Sequence, residues 1–156
     1  MTKDLVVFFD IGDTLASAAV DAGRIVRLDV FPFVPEVLTR LRAAGDDHTS
    51  VRLGLMSNTG DATEATMTAL LTDAGLLPLV DADLCLFSSV EGVDKSQPAF
   101  FTRGQDRAGL PAADCMFVGE DERERLVASG AGFRTSPHPL HALHVVETEL
   151  ATDPPA

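Results

Sequence analysis

The chain has no tryptophan, no tyrosine and only two cysteines, and it carries 12 Lys and Arg against 24 Asp and Glu, a formal charge of −12. Each shortage excludes something. Without Trp and Tyr, the usual aromatic anchors of carbohydrate platforms and of many protein interfaces are missing. An acidic chain lacks the concentrated positive field that phosphate-backbone binding or an anionic membrane surface requires, so no nucleic-acid or membrane partner is expected. Acidity itself mostly signals solubility. No apolar run is long enough to span a bilayer, and Met1-Thr2-Lys3-Asp4 lacks the shape of a signal peptide. The chain reads as a soluble cytoplasmic protein. Cys85 and Cys115 sit inside apolar runs without CxxC or Cys/His spacing, and read as buried, reduced thiols.

What is present is a regular alternation. At 156 residues and 46% hydrophobic, the chain can close one core. The apolar run Leu5 to Phe9 predicts a buried strand that ends abruptly at Asp10. Ala16 to Val20 and Arg24 to Leu28 flank Asp21-Ala22-Gly23, which predicts a hairpin. Pro35 opens a helix that closes at Gly45. A second strand covers Val51 to Met56 and ends at Ser57-Asn58-Thr59-Gly60. Asp61 is the expected N-cap of a helix running to Gly75, with Met67, Leu70 and Leu71 facing inward. A third strand at Leu84 to Phe87, a helix bearing Phe100, Phe101 and Ala108, a fourth strand at Cys115 to Val118, a helix from about Glu122 and a short strand near Phe133-Arg134-Thr135 complete the series. This predicts an α/β fold: three Rossmann-like layers, with a mostly parallel sheet covered by helices on both faces and a short β-hairpin flap. The expected organisation is one core domain over residues 1–150, followed by a flexible tail at 151–156.

The polar groups fall at the strand ends. Asp10, Ser57, the pair Ser88 and Ser89, and the pair Glu120 and Asp121 each follow an apolar strand, while Lys95 precedes the third crossover helix. In a parallel sheet such ends share one edge, where ligands bind. A carboxylate, a hydroxyl, an ammonium and an acidic pair in one crevice suit phosphoryl transfer through an aspartyl-phosphate. The carboxylate attacks phosphorus, the lysine and serine hold the phosphoryl oxygens, and acidic residues hold a magnesium ion.

On these residues the chain resembles the haloacid dehalogenase (HAD) superfamily of phosphatases and related enzymes along nearly its whole length. Phe9-Asp10-Ile11-Gly12-Asp13-Thr14-Leu15 is similar to the family's first motif, which implies Asp10 as nucleophile and metal ligand, with the Gly12 carbonyl as a second ligand. Leu55-Met56-Ser57-Asn58-Thr59 is similar to the second and implies phosphate binding by Ser57, with Asn58 beside it. Val93-Asp94-Lys95-Ser96-Gln97-Pro98 resembles the third, with Lys95 as the essential lysine. Phe117-Val118-Gly119-Glu120-Asp121 resembles the fourth, with Glu120 or Asp121 on magnesium. The resemblance also makes the hairpin the family's flap.

Two positions depart from the pattern. The family's phosphatases carry an aspartate, acting as general acid and base, where this chain has Gly12, and Asp13 follows one step later. Glu120 stands where aspartate is usual. The intervals from Leu15 to Met56 and from Ser57 to Lys95 are too short for a separate cap domain, which implies an open site for a phosphorylated small molecule or macromolecule, or a protein partner over it. The rival to a magnesium-dependent phosphatase or phosphotransferase is a pseudoenzyme of the same fold that binds a phosphorylated ligand or protein partner without turnover. A dehalogenase ranks third, since it would not need the acidic metal pair. Glu122, Arg123, Glu124 and Arg125 read as a solvated helix face, and His138, His141 and His144 as surface residues whose spacing drifts around a helix.

Overall fold

The computed structural model describes residues 3–152. The expected alternation is present. Strand β1 (Lys3–Phe9) is followed by the hairpin strands β2 (Ala16–Asp21) and β3 (Arg24–Val30), then helix α1 (Val34–Ala43) and strand β4 (Thr49–Ser57). Helix α2 (Glu64–Asp73), strand β5 (Cys85–Phe87), the one-turn helix α3 (Ser88–Glu91) and helix α4 (Pro98–Ala108) lead to strand β6 (Cys115–Val118). Helix α5 (Glu122–Gly130), strand β7 (Arg134–Ser136) and helix α6 (Pro139–Thr152) close the chain.

Five strands form one sheet in the order β5-β4-β1-β6-β7, with every neighbouring pair parallel. The hairpin stands apart as a two-stranded antiparallel sheet. Its turn residues Ala22 and Gly23 both have positive φ, 51° and 78°, the backbone a tight two-residue hairpin turn requires.

Alternation along β1 builds the three layers. Leu5, Val7 and Phe9 face one side of the sheet, where α1, α2 and α6 supply Leu38, Leu41, Leu71 and Val146. Val6 and Phe8 face the other, where α4 and α5 supply Phe100, Phe101 and Ala128. Because both faces are covered, the strand has no polar position to spare, and it reads as a continuous apolar run. Phe101 packs edge-on against Phe117 and Phe133, with ring centroids 5.1 and 5.7 Å apart. This places β6 firmly beside the strand that carries Asp10.

Three local expectations need correction. The N-cap of α2 is Thr63, not Asp61: Thr63 is extended and its side chain accepts the Thr66 N–H, while Gly60, at φ 59°, turns the chain just before. Ser88 and Ser89 do not merely end a strand but open α3, which stops at Gly92 in the left-handed region. Helix α6 takes in Ala151 and Thr152, the first residues of the expected tail; residues 153–156 lie outside the described residues.

Both cysteines are free. Burial, with the nearby carboxylates Asp83 and Asp81, pushes the Cys85 thiol up to about 12. Burial, with Asp114 beside it, pushes Cys115 up to about 11, so neither thiol has reactive character. The three histidines of the C-terminal segment are exposed: His138 stacks on Phe33 at 5.1 Å and His141 shares a 2.8 Å hydrogen bond with Ser136. No described helix is long and apolar enough to cross a membrane.

Candidate active site

Asp10 is positioned by the edge it shares with β6. Its backbone N–H donates to the Val118 carbonyl at 2.9 Å, extending the parallel ladder one residue past β1. Only a glycine fits next on the β6 side, because a Cβ on Gly119 would lie 2.8 Å from the Phe117 ring and 3.4 Å from Asp10 Cβ. After Asp10 the chain folds into a tight turn. The Ile11 carbonyl accepts from Leu15 and Ala16, and Asp13 takes the left-handed conformation at φ 60°. That turn brings Thr14 back beneath the carboxylate, and Thr14 Oγ1 donates to Asp10 Oδ2 at 3.3 Å.

Lys95 reaches the same carboxylate from the loop before α4. Its Nζ lies 2.5 Å from Asp10 Oδ1 and 3.0 Å from Glu124 Oε1, with the lysine 2% exposed and Asp10 7% exposed. A buried ammonium is stable only when paired, and here it has two carboxylates. The loop is held by Asn58, whose Oδ1 accepts the Lys95 backbone N–H at 3.0 Å. Asn58 follows Ser57 at the tip of β4, so one residue ties the second strand end to the lysine. On the far side, Thr14 Oγ1 accepts the Glu120 N–H at 3.3 Å, and Arg125 donates to the Gly119 carbonyl at 2.8 Å.

These groups surround a cavity of about 230 Å³. Asp10, Gly12, Ser57, Asn58, Lys95, Glu120 and Asp121 all line it, and the hairpin contributes Ala18, Ile25 and Leu28 to its wall. Ser88 and Ser89 lie outside this lining and instead pin the loop after Ser57: Thr59 N–H donates to Ser88 Oγ at 2.8 Å, and Thr59 Oγ1 and Ser89 Oγ share a 2.7 Å hydrogen bond. Asp13, held in its left-handed turn, is also outside the lining.

Two participants were not evident from the residue pattern. Glu124 is not part of a solvated face: it is half-buried, lines the cavity and grips Lys95. Its carboxyl is raised above the ordinary glutamate range, first by burial and then by Asp10 and Asp121, with Lys95 opposing. Glu124 sits three residues after Asp121, one turn along α5, and that spacing was the available signal. Thr14, to which the residue pattern assigned no role, is 3% exposed and bridges Asp10 to the fourth strand end.

Among the described residues no three His, Cys, Asp or Glu side chains converge as a protein-only metal cage. Asp121 is partly committed, its Oδ1 accepting the N–H groups of Arg123 and Glu124 at 2.8 and 3.2 Å as the N-cap of α5. Glu120 is exposed at the rim. One or two carboxylates and a carbonyl on a single cavity, with water and substrate oxygens completing the shell, form a donor set that suits magnesium. On that chemistry the residues fit.

No family model and no curated protein matches the chain, but solved structures do. A dehalogenase is matched at 25% identity and TM-score 0.59, over 70% of this chain and 44% of that one. This chain thus spans less than half the length of that dehalogenase. A HAD-superfamily hydrolase of subfamily IA from Geobacter sulfurreducens is matched at TM-score 0.67 and 13% identity, over 93% of this chain and 100% of that one. L-2-haloacid dehalogenase from Xanthobacter autotrophicus, with chloropropionic acid covalently bound, is matched at TM-score 0.66 and 16% identity, over 86% and 76% of the two chains. The fold of this chain is that of the HAD-like hydrolases.

Proposed function

We propose that the chain is a magnesium-dependent phosphatase or phosphotransferase acting through an aspartyl-phosphate on Asp10. The observation that carries this reading is the buried Asp10–Lys95 pair at 2.5 Å, in a cavity that Ser57, Asn58, Glu120 and Asp121 also line. A carboxylate oxygen of Asp10 attacks phosphorus as the bond to the leaving group breaks. Lys95 and the Ser57 hydroxyl take the phosphoryl oxygens, while Asn58 keeps the lysine loop in place. Water then attacks the phosphorus of the acyl phosphate and frees Asp10. Asp10, the Gly12 carbonyl and Glu120 or Asp121 would hold the magnesium, which would neutralise phosphoryl charge. Hairpin residues Ala18, Ile25 and Leu28 form part of the cavity wall, and the substrate is a phosphorylated small molecule or the exposed phosphoryl group of a macromolecule. Two unpaired thiols, Cys85 half-buried and Cys115 buried, suit the reducing cytoplasm.

A second reading is favoured by Gly12, which leaves no acid two residues beyond Asp10, and by Asp13, which stands outside the cavity lining. On that reading the site binds a phosphorylated ligand or protein partner without turnover. The neighbours named as dehalogenases support a third, though an acidic pair on the cavity has no use in carbon–halogen cleavage. Hydrolysis of 4-nitrophenyl phosphate with and without magnesium distinguishes them. Magnesium-dependent turnover that Asp10→Asn abolishes supports the phosphatase, whereas a folded protein whose melting temperature magnesium raises, but which hydrolyses nothing, supports the binding protein.

A further inference from the structure

In a chain with 12 basic side chains against 24 acidic ones, Arg125 takes a backbone carbonyl as its partner. From the first turns of α5 the half-buried guanidinium donates to the Gly119 carbonyl at 2.8 Å. A hydrogen bond from a cation is about twice as strong as one between neutral groups. Arg125 stands outside the cavity lining, so it acts on the site only through what it holds.

The peptide that Arg125 grips is the one that reaches Asp10. On its other side the Glu120 N–H donates to Thr14 Oγ1, and Thr14 Oγ1 donates to Asp10 Oδ2, both at 3.3 Å. The sense of each bond is fixed. A guanidinium and a backbone N–H only donate, and a carbonyl and an ionised carboxylate only accept, so the single threonine proton goes to Asp10. Three bonds therefore run in series from the cation to the carboxylate, and each polarises the next. The peptide has little room to tilt: the Gly119 N–H donates to the Ser136 carbonyl at 3.0 Å, and a Cβ on Gly119 would lie 3.4 Å from Asp10 Cβ. Lys95 holds one oxygen of Asp10, 2.5 Å from Oδ1; this series holds the other.

We infer that Arg125 is a positioning residue, which sets the Asp10 carboxylate through the Gly119–Glu120 peptide and Thr14; its effect on rate rests on the phosphoryl-transfer reading. Losing it leaves the substrate's contacts in place and lets the attacking carboxylate turn, which slows the chemical step and not binding.

The test is a double-mutant cycle on acetyl phosphate, whose leaving group needs no proton. Arg125→Met keeps the stem and removes the donors. It is expected to lower kcat about 10- to 100-fold and to leave KM unchanged, while Arg125→Lys, which keeps a cationic donor, restores most of the rate. Because Arg125 acts through Thr14, adding Arg125→Met to Thr14→Val should cost nothing beyond Thr14→Val alone. Circular dichroism checks folding, and Arg125→Gln, which falls short of the carbonyl, replaces Arg125→Met in the cycle if that variant does not fold. A folded variant with wild-type kcat, or losses that multiply in the double variant, would overturn the assignment. If the wild-type protein does not turn over acetyl phosphate with magnesium, the phosphoryl-transfer reading fails, and the side-chain carboxyl carbon-13 resonance of Asp10, identified by its loss in Asp10→Asn, decides for Arg125. A resonance that moves in Arg125→Met, and moves no further in the double variant than in Thr14→Val, keeps Arg125 as the residue that sets Asp10; one that Arg125→Met leaves in place overturns it.

Discussion

Lys95 Nζ stands between two carboxylates, 2.5 Å from Asp10 Oδ1 and 3.0 Å from Glu124 Oε1, with the lysine almost fully enclosed. The ion pair joins the tip of β1 to the loop before α4 and to the first turns of α5, so three separate chain segments are tied at one buried ammonium. Removing that ammonium leaves two carboxylates facing each other without compensation. Lys95→Met is therefore expected to cost about 3–5 kcal/mol of stability, measured by urea unfolding. The double variant Asp10→Asn, Lys95→Met should recover part of the loss. A Lys95→Met protein as stable as the wild type would mean that the pair is solvated and not structural.

Thr14 is the second support of Asp10. Its hydroxyl donates to Asp10 Oδ2 and accepts the Glu120 N–H, both at 3.3 Å. Thr14→Val keeps the shape and removes both bonds, leaving a buried carboxylate oxygen short of a donor. The expected loss is about 1–3 kcal/mol in the same unfolding measurement. No change would show that water substitutes for the hydroxyl.

The architecture was legible in the sequence because burial on both sheet faces makes Leu5 to Phe9 and Cys115 to Val118 uniformly apolar, while the groups after them are polar. The same logic brings Asp10, Ser57 and Glu120 to one edge, since parallel strands share it, while Lys95 arrives there from the loop before α4. Glu124 was not legible: within Glu122-Arg123-Glu124-Arg125 the charges look alike, and only the orientation of α5 turns Glu124 toward the cavity and Arg125 onto the Gly119 carbonyl, leaving Glu122 and Arg123 as the solvated face. Thr14 was hidden for a related reason. Its contact with Asp10 depends on the left-handed backbone at Asp13, which the residue pattern does not announce. The N-cap at Thr63 was missed because Asp61 has equal capping propensity, and the turn at Gly60 delays the helix.

Selectivity should follow the leaving group. With Gly12 in place of an acid, an alkoxide departs without a proton, whereas a nitrophenolate or an acyl phosphate's carboxylate needs little help. Activity is expected to favour aryl and acyl phosphates over sugar phosphates by about 10²–10⁴-fold in kcat/KM. Equal kcat/KM on both classes would show that another group supplies the proton.

Gly12→Asp supplies the missing acid directly. A Cβ at Gly12 meets nothing within 4 Å, and its φ lies outside the left-handed region, so the backbone imposes no barrier to the side chain. Hydrolysis of alkyl phosphates is expected to rise by up to about 10²–10⁴-fold. A folded variant that binds magnesium and gains nothing would favour the binding-protein reading. Thermal melts separate that outcome from misfolding.

The covalent intermediate is the centre of the proposed chemistry. Incubation with acetyl phosphate and magnesium, followed by acid quench and peptide mapping by mass spectrometry, reports whether a phosphoryl group is transferred to the protein. The expected result is a phosphoryl adduct on Asp10 that is absent from Asp10→Asn and decays on return to neutral pH. Turnover of acetyl phosphate that persists in Asp10→Asn, or an adduct on any other residue, would contradict the assignment of Asp10 as nucleophile.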